Sequence, residues 1–152
     1  MIRSKSAEVG QLLLSRLSIT GALLAATLTT AAACARPSDL NLSLDRATDH
    51  QRFRVQLASG VRPIPMSRVH QWTVHVTGAD GAPVTGADIR VDGGMPEHGH
   101  GLPTAPRVEA AGAPGDYFIK GMKFSMTGWW VLKLDVRVPD GRADVITFNV
   151  VL

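Results

Sequence analysis

Residues 130–138 read WVLKLDVRV and residues 143–151 read ADVITFNVV, two nine-residue runs joined by Pro139-Asp140-Gly141-Arg142. In the first, Trp130, Leu132, Leu134, Val136 and Val138 fall on every second position, with Lys133, Asp135 and Arg137 between them. A period of two lays one apolar row along one face of a strand, whereas a helix needs apolar residues three and four apart. Asp-Gly between two such runs is a tight-turn signal, so the pair reads as a β-hairpin.

The same pattern recurs upstream. In residues 53–57, Phe53, Val55 and Leu57 share a face; in residues 69–76, Trp72, Val74 and Val76 alternate with Gln71, Thr73 and His75. After a turn at Asp80-Gly81 comes a strand over residues 87–91, and residues 117–120 and 122–126 complete the set. No part of this region combines helical spacing with a cap. About seven short strands in roughly a hundred residues, punctuated by Gly, Pro and Asp, predict an all-β, immunoglobulin-like Greek-key sandwich. Trp72 is expected between the sheets, and of the consecutive Trp129 and Trp130 only one can face the core. One connection breaks the short-loop pattern: residues 92–115, rich in Gly and Pro, read as a single long loop, and such loops are either functional or disordered.

The first third of the chain reads as an address. Residues 17–33 are uncharged, follow Arg3, Lys5 and Arg16, and end in Ala31-Ala32-Ala33 directly before Cys34. This is the layout of a cleaved export signal, and the Ala- and Thr-rich run is short for a bilayer span. Small residues followed by Cys match the acylation site of bacterial lipoproteins, although Ala31 stands where that signal usually has Leu. Ordinary cleavage after Ala33, leaving a free thiol, is the alternative. The expected organisation is a signal peptide over 1–33, a polar tether over 34–50 with Cys34 acylated, and the sandwich over 51–152. The expected location is the periplasmic face of a bacterial membrane, or the soluble periplasm without the lipid.

Composition narrows the function. The 152 residues carry a formal charge of +3, but Arg3, Lys5, Arg16 and Glu8 precede Cys34, which leaves thirteen basic against twelve acidic residues after it. A near-neutral domain lacks the basic face that nucleic acid requires. A single cysteine excludes an intramolecular disulfide framework, cysteine-rich zinc sites and ordinary iron–sulfur clusters. No Ser, His and acid set or carboxylate pair has the context of an active site, so the chain reads as a non-enzyme.

The long connection holds the candidate chemistry. Met95-Pro96-Glu97-His98-Gly99-His100-Gly101 places a thioether and two imidazoles within six residues. Thioether and imidazole donors suit a soft or borderline cation, and copper fits best: Cu(I) for the mixed set, with Cu(II) or zinc as alternatives for the histidines, zinc enlisting Glu97 or Asp92. Further along, Met122 and Met126 flank Phe124. Four residues apart on a strand they stand roughly 13 Å from one another, so only one can join an ion held by the loop. Met126, before Thr127-Gly128, is free to reach outward, which gives a metal set of Met95, His98, His100 and Met126 with Met122 as a substitute.

The run Gly94-Met95-Pro96-Glu97-His98-Gly99-His100-Gly101, then Gly115-Asp116-Tyr117, then Phe124-Ser125-Met126-Thr127-Gly128-Trp129-Trp130, resembles the YtkA-like and FixH-like family of exported bacterial domains over about residues 50–152. The resemblance implies an immunoglobulin-type sandwich with a methionine and histidine loop, here Met95, His98 and His100, and a later F-x-M-x-G-x-W segment on Phe124, Met126, Gly128 and Trp130. It also implies copper handling and respiratory oxidase assembly, with an envelope protein that gives or accepts copper as partner. The chain departs from the membrane-anchored FixH pattern in that its hydrophobic segment looks cleavable. The competing reading is a metal-independent interaction sandwich of the cell envelope.

Overall fold

The structure, a computed structural model, describes residues 36–152. The expected signal peptide and Cys34 lie outside the described residues. Nine strands follow one another: β1 (Asp45–Ala47), β2 (Phe53–Ser59), β3 (His70–Gly78), β4 (Asp88–Met95), β5 (His100–Gly101), β6 (Arg107–Ala110), β7 (Asp116–Met122), β8 (Trp129–Arg137) and β9 (Ala143–Val151). They form two antiparallel sheets, ordered β1-β2-β3-β7-β6 and β5-β4-β8-β9. The strands β2-β3-β7-β6 follow the A-B-E-D order of immunoglobulin domains and β4-β8-β9 the C-F-G order, so the fold is an immunoglobulin-like Greek-key sandwich.

The alternation read from the sequence sets which side chains are inside. Phe53, Val55 and Leu57 on β2, Trp72, Val74 and Val76 on β3, and Trp130, Leu132, Leu134 and Val136 on β8 are all buried. Each contributes about 1.5–3 kcal/mol by leaving water, against the entropy of ordering the chain. At the centre, the Phe124 ring stands edge-on to Trp72 at 6.1 Å and to Trp130 at 5.1 Å. Antibody domains join these same two strands, B and F, by a disulfide; here three aromatic rings span the sheets instead. Trp129, next to Trp130, turns outward, and its Nε1 donates to Asn149 Oδ1 at 2.9 Å. At the far end the Tyr117 hydroxyl donates to Val84 O at 2.8 Å and accepts from Ala87 N at 3.0 Å, tying β7 to the crossing between the sheets.

Three sequence expectations change. Residues 92–115 are not one loop: β4 runs to Met95, and β5 and β6 lie inside the stretch. A β-carbon on Gly94 would lie 2.4 Å from His100 O, so this glycine of the expected loop lets β5 pack against β4. Residues 122–126 do not form a strand either, since β7 stops at Met122 and Phe124 makes only an isolated bridge to Met66. The polar segment 34–50 is structured at its end, where β1 pairs with Arg54–Gln56 of β2 and Thr48 is buried. What holds it is Asp144, a buried carboxylate that accepts from the Thr48 hydroxyl at 2.7 Å and from the backbone N–H groups of His50 and Arg52. A carboxylate buried with this many donors is a long-range partner no local pattern announces.

The antiparallel registers gather the connections at two ends. One end holds residues 60–69, 96–99, 102–106 and 123–128, with the approach to β1 and the end of β9; the other holds 48–52, 79–87, 111–115 and 138–142.

Candidate metal site

Met95 closes β4 and pairs in register with His100, the first residue of β5. Residues directly opposite on antiparallel strands point to the same face, so the two side chains leave the sheet on one side. The link between them is a tight turn in which Met95 O accepts from the N–H groups of His98 at 3.1 Å and Gly99 at 2.9 Å. The turn brings the rings of His98 and His100 to 5.9 Å between centroids, inclined by 30°. His100 Nδ1 faces Gly101 O at 3.1 Å; as donor to that carbonyl it leaves Nε2 with a free lone pair.

Trp130 joins the turn to the second segment. Its ring meets His100 edge-on at 5.7 Å, and its Nε1 donates to Met126 O at 3.1 Å. Gly128 completes the contact: it has a φ of +129°, pairs backbone to backbone with Leu152, and a β-carbon on it would lie 2.7 Å from Met95 Cε and 3.9 Å from Glu97 Oε2. The end of the Met95 side chain therefore reaches the 123–128 loop itself.

The four sequence-derived donors thus differ in placement. Met95 is 1% exposed, packed at the end of the core with its methyl at the rim, while Met126 is 41% exposed at a loop tip. His98 and His100 are exposed. Met122, the substitute, is wholly buried opposite His70 on β3 and belongs to the core. Among the described residues no three His, Cys, Asp or Glu side chains gather as a metal-binding group.

Sequence reading missed the structural parts of this end. His70, which carries no motif in the sequence, packs its ring 5.7 Å from Phe124, and its Nδ1 bonds Arg68 O at 3.0 Å. Trp130 was recognisable as core but not as the residue that holds both loops; its four-residue separation from Met126 was the available signal. His75, on the polar row of its strand, bonds Asp116 across β3 and β7. That pair sits beside a groove of about 600 Å³ on the outer face of the five-stranded sheet, away from the methionines.

Comparison with known proteins bears on the fold and the family. A solved DUF4426 family protein from Pseudomonas aeruginosa PAO1 superposes with a TM-score of 0.52 at 14% identity, covering 71% of this chain and 94% of that one. At that identity the likeness is one of fold. None of the curated proteins matches the chain. The family model described as YtkA-like matches residues 48–135, a span that takes in β2 through most of β8 and every proposed donor. The chain belongs to the YtkA-like family.

Proposed function

We propose that this chain is an exported domain, anchored by a lipid on Cys34, that binds Cu(I) through Met95, His98, His100 and Met126 and exchanges it with an envelope protein. The observation that carries the reading is the pairing of Met95 with His100 beside His98 at the rim. Two imidazoles on one ion place their centroids roughly 5–6 Å apart, since each nitrogen lies about 2 Å from the metal, and the observed 5.9 Å falls in that range. Thioethers favour the monovalent ion; zinc or Cu(II) would use the histidines and leave the methionines without a role.

The chemistry is binding rather than catalysis. Exposed His98, His100 and Met126 permit a partner's donors to replace them one at a time, while buried Met95 keeps the ion at a fixed place on the rim. Titration of residues 34–152 with Cu(I) against a competing chelator tests the site. The triple replacement of Met95, His98 and Met126 by Ala should lower affinity by about a hundredfold or more, at roughly 1.4 kcal/mol per tenfold. Unchanged affinity would remove the proposal.

A further inference from the structure

The five large apolar side chains that stand exposed among the described residues are Leu42, Val61, Val69, Met126 and Val151. Scattered exposed apolar residues need no explanation, but these are not scattered. All five lie at the end of the sandwich that carries the Met95 turn: Val61 and Val69 in the 60–69 connection, Met126 in 123–128, Val151 at the end of β9 and Leu42 on the approach to β1. Two of them, Leu42 and Val151, share a groove, and a second groove adjoins it. One cavity is lined by Leu42, Arg62, Ile64 and Val151, and the next shares Arg62, Ile64 and Val151 and adds Met66 and Thr127. Ser67 closes the ring, its N–H donating to Phe124 O at 2.7 Å and its hydroxyl to Ser125 O at 3.1 Å.

Charge sorts in the same direction. The connections of this end carry Arg62, Arg68 and Lys123 against the single acid Glu97. Those of the opposite end carry Asp49, Asp80 and Asp140 against Arg52 and Arg142. No ion pair among the described residues engages Arg62, Arg68 or Lys123, whereas Arg142 is paired with Asp140. In the approach segment Arg36 and Asp39 balance.

We infer that this end docks on the surface of an anionic bilayer, with Leu42, Val61, Val69 and Val151 entering the headgroup region and Arg62, Arg68 and Lys123 meeting lipid phosphates. The bilayer is favoured over a protein partner by chain length. Leu42 lies eight residues after Cys34, a reach of at most about 28 Å, so a chain tethered at Cys34 keeps Leu42 within that distance of the membrane. The inference rests on the reading of a domain tethered at Cys34 and deepens it: the metal rim would face the membrane, toward partners embedded there.

Hydrogen exchange on residues 34–152, coupled through the sole cysteine to vesicles bearing a maleimide lipid, tests this whether or not the cell acylates Cys34. On phosphatidylcholine vesicles containing phosphatidylglycerol, amides of 60–69 and 123–128 should slow by about fivefold or more relative to phosphatidylcholine alone, with 79–87 unchanged. The double substitution Arg62→Glu and Arg68→Glu should abolish the protection while leaving Cu(I) affinity intact, which separates this inference from the metal reading. Equal exchange on both vesicles, or protection that survives the double substitution, would overturn it. Protection that appears only when extracted envelope proteins are added to the vesicles would assign the rim to a protein and equally overturn it.

Discussion

Met95 and Gly128 meet across the rim of the sandwich: the thioether methyl lies 2.7 Å from where a β-carbon on residue 128 would stand. The close approach couples the turn after β4 to the loop before β8, so the thioether of one segment is placed by the absence of a side chain in the other. At φ +129° an L side chain at 128 is also strained. Gly128→Ala should therefore cost about 1–3 kcal/mol in urea unfolding and, by pushing Met95 aside, weaken Cu(I) binding in the folded protein. A variant as stable as the parent, with the same affinity, would show that the contact has no consequence.

Met95 serves two roles that substitution can separate. Met95→Leu conserves volume in the core and should cost less than about 1.5 kcal/mol, while Met95→Ala leaves a cavity and should cost about 2–5 kcal/mol. Both remove the sulfur. Chelator competition should give the same loss of Cu(I) affinity, about tenfold or more, for the two variants despite their different stabilities. If affinity tracks stability instead, Met95 acts on the site only through packing.

Asp144 governs the acid stability of the fold. Burial pushes its carboxyl up, but hydrogen bonds from Thr48, His50 and the backbone of Val145 and Arg52 outweigh this and hold it below its ordinary 3.8. A group held below its unfolded value stabilises the fold fully above that value and loses the contribution as pH falls through the folded one. Parent stability should be flat with respect to this group above about pH 4 and decline below it, and Asp144→Asn should flatten that decline. At pH 7 the same substitution should cost about 2–4 kcal/mol and release β1, seen as faster exchange of residues 45–48.

Tyr117 offers a control at the opposite end. Its hydroxyl bridges Val84 O and Ala87 N, so Tyr117→Phe orphans a carbonyl and an amide and should cost about 1–3 kcal/mol. Cu(I) affinity of the folded variant should match the parent. A drop in affinity would mean the two ends are coupled through the core.

How far the sequence carried depended on the range of the interaction. β2, β3, β8 and β9 were legible because a period of two is local and survives in any context. β5 was hidden because Gly94, His100 and Gly101 pair through backbone, which leaves no side-chain pattern, and β6 because Arg107-Val108-Glu109-Ala110 has a single partly buried apolar residue. β1 was hidden because its anchor, Asp144, lies almost a hundred residues away. At the site, donor chemistry could be read at Met95, His98 and His100 from a six-residue run, whereas the roles of Trp130 and Gly128 as the joint between the two segments exist only in three dimensions. Met126 stands apart from Met122 in sequence through the Thr127-Gly128 that follows it, and β7, ending at Met122, leaves the first in the open and the second in the core.

The central claim is that imidazole and thioether groups share one copper ion at this rim. X-ray absorption of the Cu(I)-loaded domain tests it most directly, because sulfur at about 2.3 Å and nitrogen at about 2.0 Å scatter as separate shells. The account predicts both shells in the parent, with the sulfur amplitude falling in Met95→Leu and again when Met126 is also replaced. A first shell of nitrogen and oxygen alone, the same in parent and variants, would contradict it.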